Sequence, residues 1–362
     1  MKAANQRVYS RFYQQFAVEV DMDARLERKL RVLAVVVAVG VISSIGFSAA
    51  LGYASPIGIA VGISYGLLLS LTLGGVTLFV LQGPMRGWLA SLSFAADVAV
   101  RSAIYAAIII PTEFFQLGAL IIGQRYPASM RVFWISMIFS VVCVILFNLV
   151  TAITGLIGGR TFLNFISGRY HSPVEENRFV LFVDIVGSTA LAERLGGVGI
   201  HRFLDLTFRL LGVAVEDYRG EVLNYVGDEV IVTWPEKSGA VDCRPLCCFV
   251  AMRDELSRAS VVFEREFGTA PRIRGSLHFG PVIVGEIGDV KRAIVFNGDV
   301  MNTAARLEEL SRNVDGGFLA SRAAMQRFNS APPFAVRELA RLPIRGRADG
   351  IDVVGIEAPA MA

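Results

Sequence analysis

RFVLFVDIVGSTALAERL, residues 178–195, decides how the carboxyl-terminal half of the chain folds. Arg178 to Val183 is a short run of β-branched and aromatic residues of the kind that forms a buried strand, and it ends directly at Asp184. Ile185, Val186 and Gly187 follow, then Ser188 and Thr189, which suit a helix N-cap ahead of the helical ALAERL. A carboxylate at a strand terminus is well placed for a metal ion. A glycine-containing turn entering a helix offers free backbone N–H groups to a phosphate, so Val186, Gly187, Ser188 and Thr189 form a candidate phosphate cradle beside Asp184.

Working outward, EVLNYVGDEVIVTW (221–234) has two alternating stretches around Gly227-Asp228, the pattern of a tight hairpin with Asp228 at its tip. Two carboxylates from adjacent strand ends can share two divalent ions about 3.5 to 4 Å apart, an arrangement suited to phosphoryl transfer. Mg²⁺ fits such oxygen-rich sites, taking one or two carboxylates plus substrate phosphates. RGSLHFGPVIVGEIG (274–288) reads as a hairpin turning at Gly280-Pro281, and FNGDVMNTAARLEEL (296–310) as a turn leading into an amphipathic helix. Asn302 and Arg306 lie four apart and share one face of that helix. They read either as a solvated surface pair or as an amide and a guanidinium for a ribose and a strained phosphate.

The amino-terminal half has a different character. Mean hydropathy over the 362 residues is +0.53, and nearly all of the excess lies between Val32 and Ile157. Val32 to Leu51 is an uncharged run of 20 residues, which as a helix reaches about 30 Å, enough to cross a bilayer. Ile57 to Leu81 and Val132 to Ile157 are uncharged too. Ser102 to Gly123 carries Pro111 and Glu113 and is expected as the third of four spans. With four spans, one side collects Lys2, Arg7, Arg11, Arg25, Arg28, Lys29, Arg31, Arg86, Arg160, Arg169 and Arg178, whereas the other has only short loops around Ala54 and from Arg125 to Arg131. This positive-inside asymmetry places the carboxyl-terminal half in the cytoplasm. Glu113 is either a functional intramembrane group or a carboxylate satisfied by its neighbours. Asp97 and Arg101 are spaced to form an i, i+4 pair. Phe162, Leu163, Phe165 and Ile166 offer an apolar face between the halves, as part of a coupling segment or of a passive linker.

The net charge is only +3 and the basic residues form no block, which excludes nucleic acid as an expected partner. Cys143, Cys243, Cys247 and Cys248 lack zinc-site spacing and read as packing residues in a reducing compartment. The expected division is an N-terminal cytoplasmic segment (1–31), a membrane region (32–157), a linker (158–177) and a catalytic domain (178–362).

FVDIVGST, NYVGDEV, LHFGPVIVGEIG, GDVMNTAARLE and a terminal IRGRADG, in this order and spacing, resemble the class III adenylyl and guanylyl cyclases over about Arg178 to Ile356. The resemblance implies an α+β, ferredoxin-like, palm-type catalytic domain behind the four-helix transmembrane region, working as a head-to-tail homodimer with sites at the subunit interface. It implies that Asp184, Asp228 and the Ile185 carbonyl bind two Mg²⁺ or Mn²⁺ ions, while the partner subunit supplies Asn302 and Arg306. Arg345 or Arg347 would meet the terminal phosphates, and Asn224 and Val295 occupy the purine-reading positions. Adenylyl cyclases of the family typically carry Lys and then Asp or Thr at those positions, and guanylyl cyclases an acidic residue at the first. The implied activity is conversion of ATP to 3′,5′-cyclic AMP and pyrophosphate by a multi-pass protein of the inner (plasma) membrane, since membrane cyclases of this type usually make cyclic AMP. A guanylyl cyclase and a silent nucleotide-sensing module are the alternatives. A diguanylate cyclase is disfavoured because Val226 stands where that family has a glycine.

Overall fold

The computed structural model describes residues 22–52, 55–90, 92–122, 130–157, 164, 167–290, 292–314, 316–333, 335–339, 341–343 and 350–357. Lys2, Arg7, Arg11, Ala54, Arg125, Arg160, Phe162, Leu163, Phe165, Ile166, Arg345 and Arg347 lie outside the described residues. The chain divides between Ala152 and Ile153 into two compact units.

Among the described residues, four long helices begin in the first unit, α1 (Met22–Ala50), α2 (Pro56–Gly75, continued by a π-helical turn Val76–Leu81), α3 (Phe94–Ile122) and α4 (Met130–Ile157). Ser55 caps α2 by accepting the Gly58 N–H at 3.1 Å, with Pro56 in the first turn where its missing donor costs nothing. Small residues bring α1 and α2 together. A Cβ on Gly40 would stand 2.6 Å from Ser70 Cβ, and one on Gly66 would stand 2.8 Å from the Gly40 carbonyl oxygen, so both positions admit only glycine at this separation.

Among the described residues, Lys29–Ala50, Pro56–Leu81 and Phe133–Val150 are long and apolar enough to cross a membrane. The expected third span, Ser102 to Gly123, is helical through Pro111 as far as Ile122, where this stretch of described residues stops; α3 is not among these three, and along its length it carries Asp97, Arg101 and Glu113. Asp97 accepts from Arg101 Nε at 2.8 Å, as the spacing predicts. Glu113 is buried and satisfied by its neighbours. Its Oε1 accepts from the Tyr65 hydroxyl and from Ser140 Oγ at 2.9 Å, so α2 and α4 both bond to it.

The second unit is built on β1 (Val174–Ile185), whose residues from Arg178 to Ile185 are all buried. After it come α5 (Ser188–Asp217), β2 (Glu221–Val226), β3 (Glu229–Pro235), α6 (Arg244–Arg258), α7 (Ser260–Phe267), β4 (Ile273–Ile287), β5 (Ala293–Asn297), α8 (Asp299–Ser311), β6 (Phe318–Ser321), β7 (Ala335–Glu338) and β8 (Val353–Glu357). The mixed sheet runs β2-β3-β1-β4-β6-β8-β7, with β5 pairing β4. Every residue from Phe179 to Val183 is buried, so packing covers both faces of β1, which explains why FVLFV is continuously apolar rather than alternating.

Alternation then sorts the two faces. Val180 and Phe182 join Ile231, Val282 and Val284 in a cluster closed by Val300 and Ala304 of α8. On the other face Phe249 of α6 lies 3.0 Å from where a Cβ on Gly275, the partner of Val183, would point. Asp184 follows Phe182 by two and therefore emerges on the α8 side.

Two local expectations are corrected. Gly280-Pro281 is no turn: β4 runs straight through it, because β1 pairs with β4 along its whole length, with Gly280 opposite Arg178 and Pro281 opposite Asn177. Pro281 is tolerated there because it falls between the β4 residues that pair β6 (275–277) and those that pair β5 (283–287). The N-cap of α5 is Gly187 in the left-handed region (φ 77°), not Ser188 or Thr189, and glycine has no side chain with which to cap. This frees the Ser188 hydroxyl for the site described next.

Candidate active site

The site begins where three strands end together. Asp184 stands opposite Glu229 on β3 and opposite Arg274 on β4, so one row across the sheet reads Glu229, Asp184, Arg274. The Gly227-Asp228 turn between β2 and β3, made possible by Gly227 at φ 63°, sets Asp228 beside them. The Asp228 carbonyl accepts the Ile185 N–H at 3.3 Å and its carboxylate accepts from the Ser188 hydroxyl, tying the hairpin tip to the start of α5. Arg274 donates through Nη2 to Asp184 and through Nε to Glu308 of α8 at 2.5 Å.

Electrostatics follow from this crowding. Burial, then the neighbouring Asp228 charge, push the Asp184 carboxyl up to about 7 against the pull of Arg274. Burial, then Glu308, Asp184 and Asp228, push Glu229 up to about 7 as well. Asp184 lies close enough to Asp228 for that charge to raise its carboxyl, and two carboxylates set side by side are stabilised by a proton or a cation between them. That donor chemistry fits a divalent oxygen-seeking ion. Among the described residues no three His, Cys, Asp or Glu side chains already form a complete metal site, so further ligands would come from backbone and substrate oxygens.

The other sequence candidates are distributed around this centre. Val186, Gly187 and Thr189 are exposed at the start of α5, and Ser188 is half-buried. Asn224 is exposed on β2 just after a bulge between Val222 and Asn224, and its Oδ1 accepts the Tyr225 N–H at 3.0 Å. Val295 is half-buried on β5 opposite Gly285. Asn302 is exposed and Arg306 half-buried on α8, whose inward residues are Val300, Thr303, Ala304, Leu307 and Glu308. Arg306 lies about 200° around the helix from Glu308, so it and Asn302 face away from the Arg274 side. One chain therefore assembles the carboxylates but does not bring Asn302 and Arg306 to them.

Arg274, Glu229 and Glu308 are missed by the sequence reading. The available signal was Glu308 itself, a charge in the buried stripe Val300, Ala304, Leu307 and Ser311 of an amphipathic helix. Neither His171, which pairs with Glu286, nor His278, bonded to Ser321 Oγ at 2.7 Å, joins the carboxylates.

Residues 171–353, just over half the chain, match the adenylate and guanylate cyclase catalytic domain family. Adenylate cyclase 2 of Rhizobium meliloti (strain 1021) is 34% identical over 209 residues, covering 57% of each chain. An adenylate cyclase of Anabaena cylindrica is 25% identical over 185 residues, 49% of this chain and 36% of that one. The match thus spans little more than half of the first relative and about a third of the second. A solved bacterial light-regulated adenylyl cyclase superposes with TM-score 0.52 at 20% identity, covering 62% of this chain and 64% of that one, which places the fold. By its matched catalytic domain, the chain belongs to the adenylate and guanylate cyclase family.

Proposed function

We propose that the protein is a membrane-anchored adenylyl cyclase that converts ATP to 3′,5′-cyclic AMP and pyrophosphate at sites shared between two copies of the chain. The observation that carries this reading is the paired carboxylates Asp184 and Asp228 at the end of β1 and the tip of the β2–β3 turn, countered by Arg274. The 34% identity to a protein named adenylate cyclase supports it.

Asp184 and Asp228, with the Ile185 carbonyl, would hold Mg²⁺ or Mn²⁺. When bound, two such ions activate the ribose 3′-hydroxyl and neutralise the triphosphate and its leaving pyrophosphate. The 3′-oxygen attacks the α-phosphorus, the bond to pyrophosphate breaks in line, and the hydroxyl proton is released. Backbone N–H groups from Gly187 to Thr189, at the positive end of α5, would donate to phosphate oxygens, whereas that of Val186 is already given to the Arg272 carbonyl at 2.8 Å, so Val186 drops out of the expected cradle. Arg274 has five donors and can hold Glu308 while offering others to a phosphate. Arg345 or Arg347 would add charge at the terminal phosphates.

Domains of this family typically work as dimers, and the outward-facing Asn302 and Arg306 are suited to serving a second copy's site. There Asn302 would orient the ribose and Arg306 would meet charge developing on the α-phosphate. Asn224 is compatible with adenine: its Oδ1 accepts the Tyr225 N–H, which orients the amide, and its NH₂ group can donate to adenine N1. The choice of ATP rests on the 34% identity to a protein named adenylate cyclase. Val295 contributes apolar contact.

The positive-inside asymmetry supports a multi-pass protein of the plasma membrane with the catalytic unit in the cytoplasm. The test is to supply the purified full chain with Mg²⁺ or Mn²⁺ and either ATP or GTP and identify the product. Cyclic AMP from ATP is expected. No cyclic nucleotide from either substrate in a dimeric sample would overturn the enzymatic reading, and cyclic GMP alone would overturn the choice of base.

A further inference from the structure

We propose that Tyr170 is a positioning residue for this reaction, setting from the segment before β1 the placement of the three elements that carry Asn224, Val295, Asn302 and Arg306. The proposal rests on the roles given to those four residues above.

Tyr170 lies in a turn outside the sheet, yet its side chain is 3% exposed. It belongs to the apolar cluster formed with Val180, Phe182, Ile231, Val282, Val284, Val300 and Ala304. The half-buried residues around that cluster are informative. Leu223 precedes Asn224 in β2, Ile294 and Phe296 flank Val295 in β5, and Met301 and Ala305 each adjoin one of Asn302 and Arg306 in α8. Each outward functional side chain thus has an immediate chain neighbour anchored in the core that Tyr170 completes.

Polar bonds fix Tyr170 in this position. Its carbonyl accepts the Glu286 N–H at 3.0 Å, holding it to the end of β4 where β5 pairs. Its hydroxyl accepts from Asn164 Nδ2 at 3.0 Å and donates to Glu176 at 3.3 Å. Glu176 also receives Arg178 at 2.7 Å, and Arg178 continues to Glu221 at the root of β2 at 2.6 Å, with its guanidinium 5.2 Å from the Phe296 ring centroid. The carboxylates have other supports: Asp228 bonds to Ser188 and Ile185, and Asp184 to Arg274. Displacing Tyr170 therefore shifts the base-reading and transition-state elements more than the carboxylates, which keep their own bonds to Ser188, Ile185 and Arg274. Misplacement of about 1 Å is enough to cost roughly 10²-fold in rate.

The test compares full-length parent, Tyr170→Ala and Tyr170→Phe for kcat and KM, for Mn²⁺ affinity, and for the affinity ratio of 3′-deoxy-ATP to 3′-deoxy-GTP. The Ala variant is expected to lose about tenfold or more in kcat and to bring that ratio several-fold nearer to one, with Mn²⁺ affinity held within about twofold. The Phe variant, which keeps the ring and the carbonyl bond but loses those to Asn164 and Glu176, is expected to fall between Ala and parent in kcat and base ratio, and a Phe variant no better than Ala would overturn the role of the ring. Should the Ala variant not fold, Tyr170→Leu reads the same quantities. Parent-like kcat and base ratio in the Ala or Leu variant would overturn the proposal, as would loss of Mn²⁺ binding in step with kcat. A parent that makes no cyclic nucleotide sinks the enzymatic reading instead, and the base ratio still tests Tyr170.

Discussion

Asp184 is pulled in two directions. Burial and Asp228 raise its pKa from 3.8 to about 7, while Arg274 opposes them, and Glu229 is raised from 4.5 to about 7 by burial and the same carboxylates. Between the ordinary and the raised values the folded protein holds protons that the unfolded chain has released. The stabilising contribution is therefore complete below about pH 4 and is lost as pH rises to about 7. Urea midpoints of the metal-free protein should fall across this window more steeply than those of Asp184→Asn; equal slopes would contradict the assignment. Because a cation needs the ionised form, Mn²⁺ affinity should rise with pH between about 6 and 8 and binding should release protons, which calorimetry in two buffers reads directly. Asp184→Ala should reduce cyclic AMP formation by on the order of 10³-fold. A parent-like rate would remove Asp184 from the site.

At the scale of elements, the site depends on how β1, β2, β3 and β4 meet. At the end remote from Asp184, Arg178 is fully buried and binds Glu176 and Glu221 at 2.7 and 2.6 Å, closing the root of β1 onto that of β2. Arg178→Met would remove the buried guanidinium that joins Glu176 to Glu221, leaving Glu176 only its Arg169 ion pair at 2.8 Å, and should cost about 3 kcal/mol, read as a lowered denaturation midpoint. A loss within experimental error would show the network to be dispensable. β1, the start of α5 and the Gly227-Asp228 hairpin were legible in the sequence because each has a local signature: an apolar run, a glycine turn, two alternating stretches. Gly280-Pro281 misled because Gly-Pro is a turn signal in isolation, and only twelve residues of pairing with β1 hold it extended. Arg274 was not legible for a related reason, and Glu308 only as a charge in the buried stripe of α8. The bonds of Arg274 to both Asp184 and Glu308 exist through strand register and helix packing, which no short window of sequence contains.

At the scale of the molecule, one chain assembles Asp184, Asp228, Glu229 and Arg274 but turns Asn302 and Arg306 outward, and in the proposed reading a second chain completes the site. The account is tested most directly by complementation between two inactive full-length chains, Asp184→Ala and Arg306→Ala. Each alone should be down on the order of 10³-fold. Co-expressed in equal amounts and paired at random, about half the dimers would be mixed, each with one intact site. The account predicts recovery of about a quarter of the parent's cyclic AMP formation, with the mixed dimer isolated by two affinity tags carrying that activity. A mixed dimer no more active than the two single variants would contradict it.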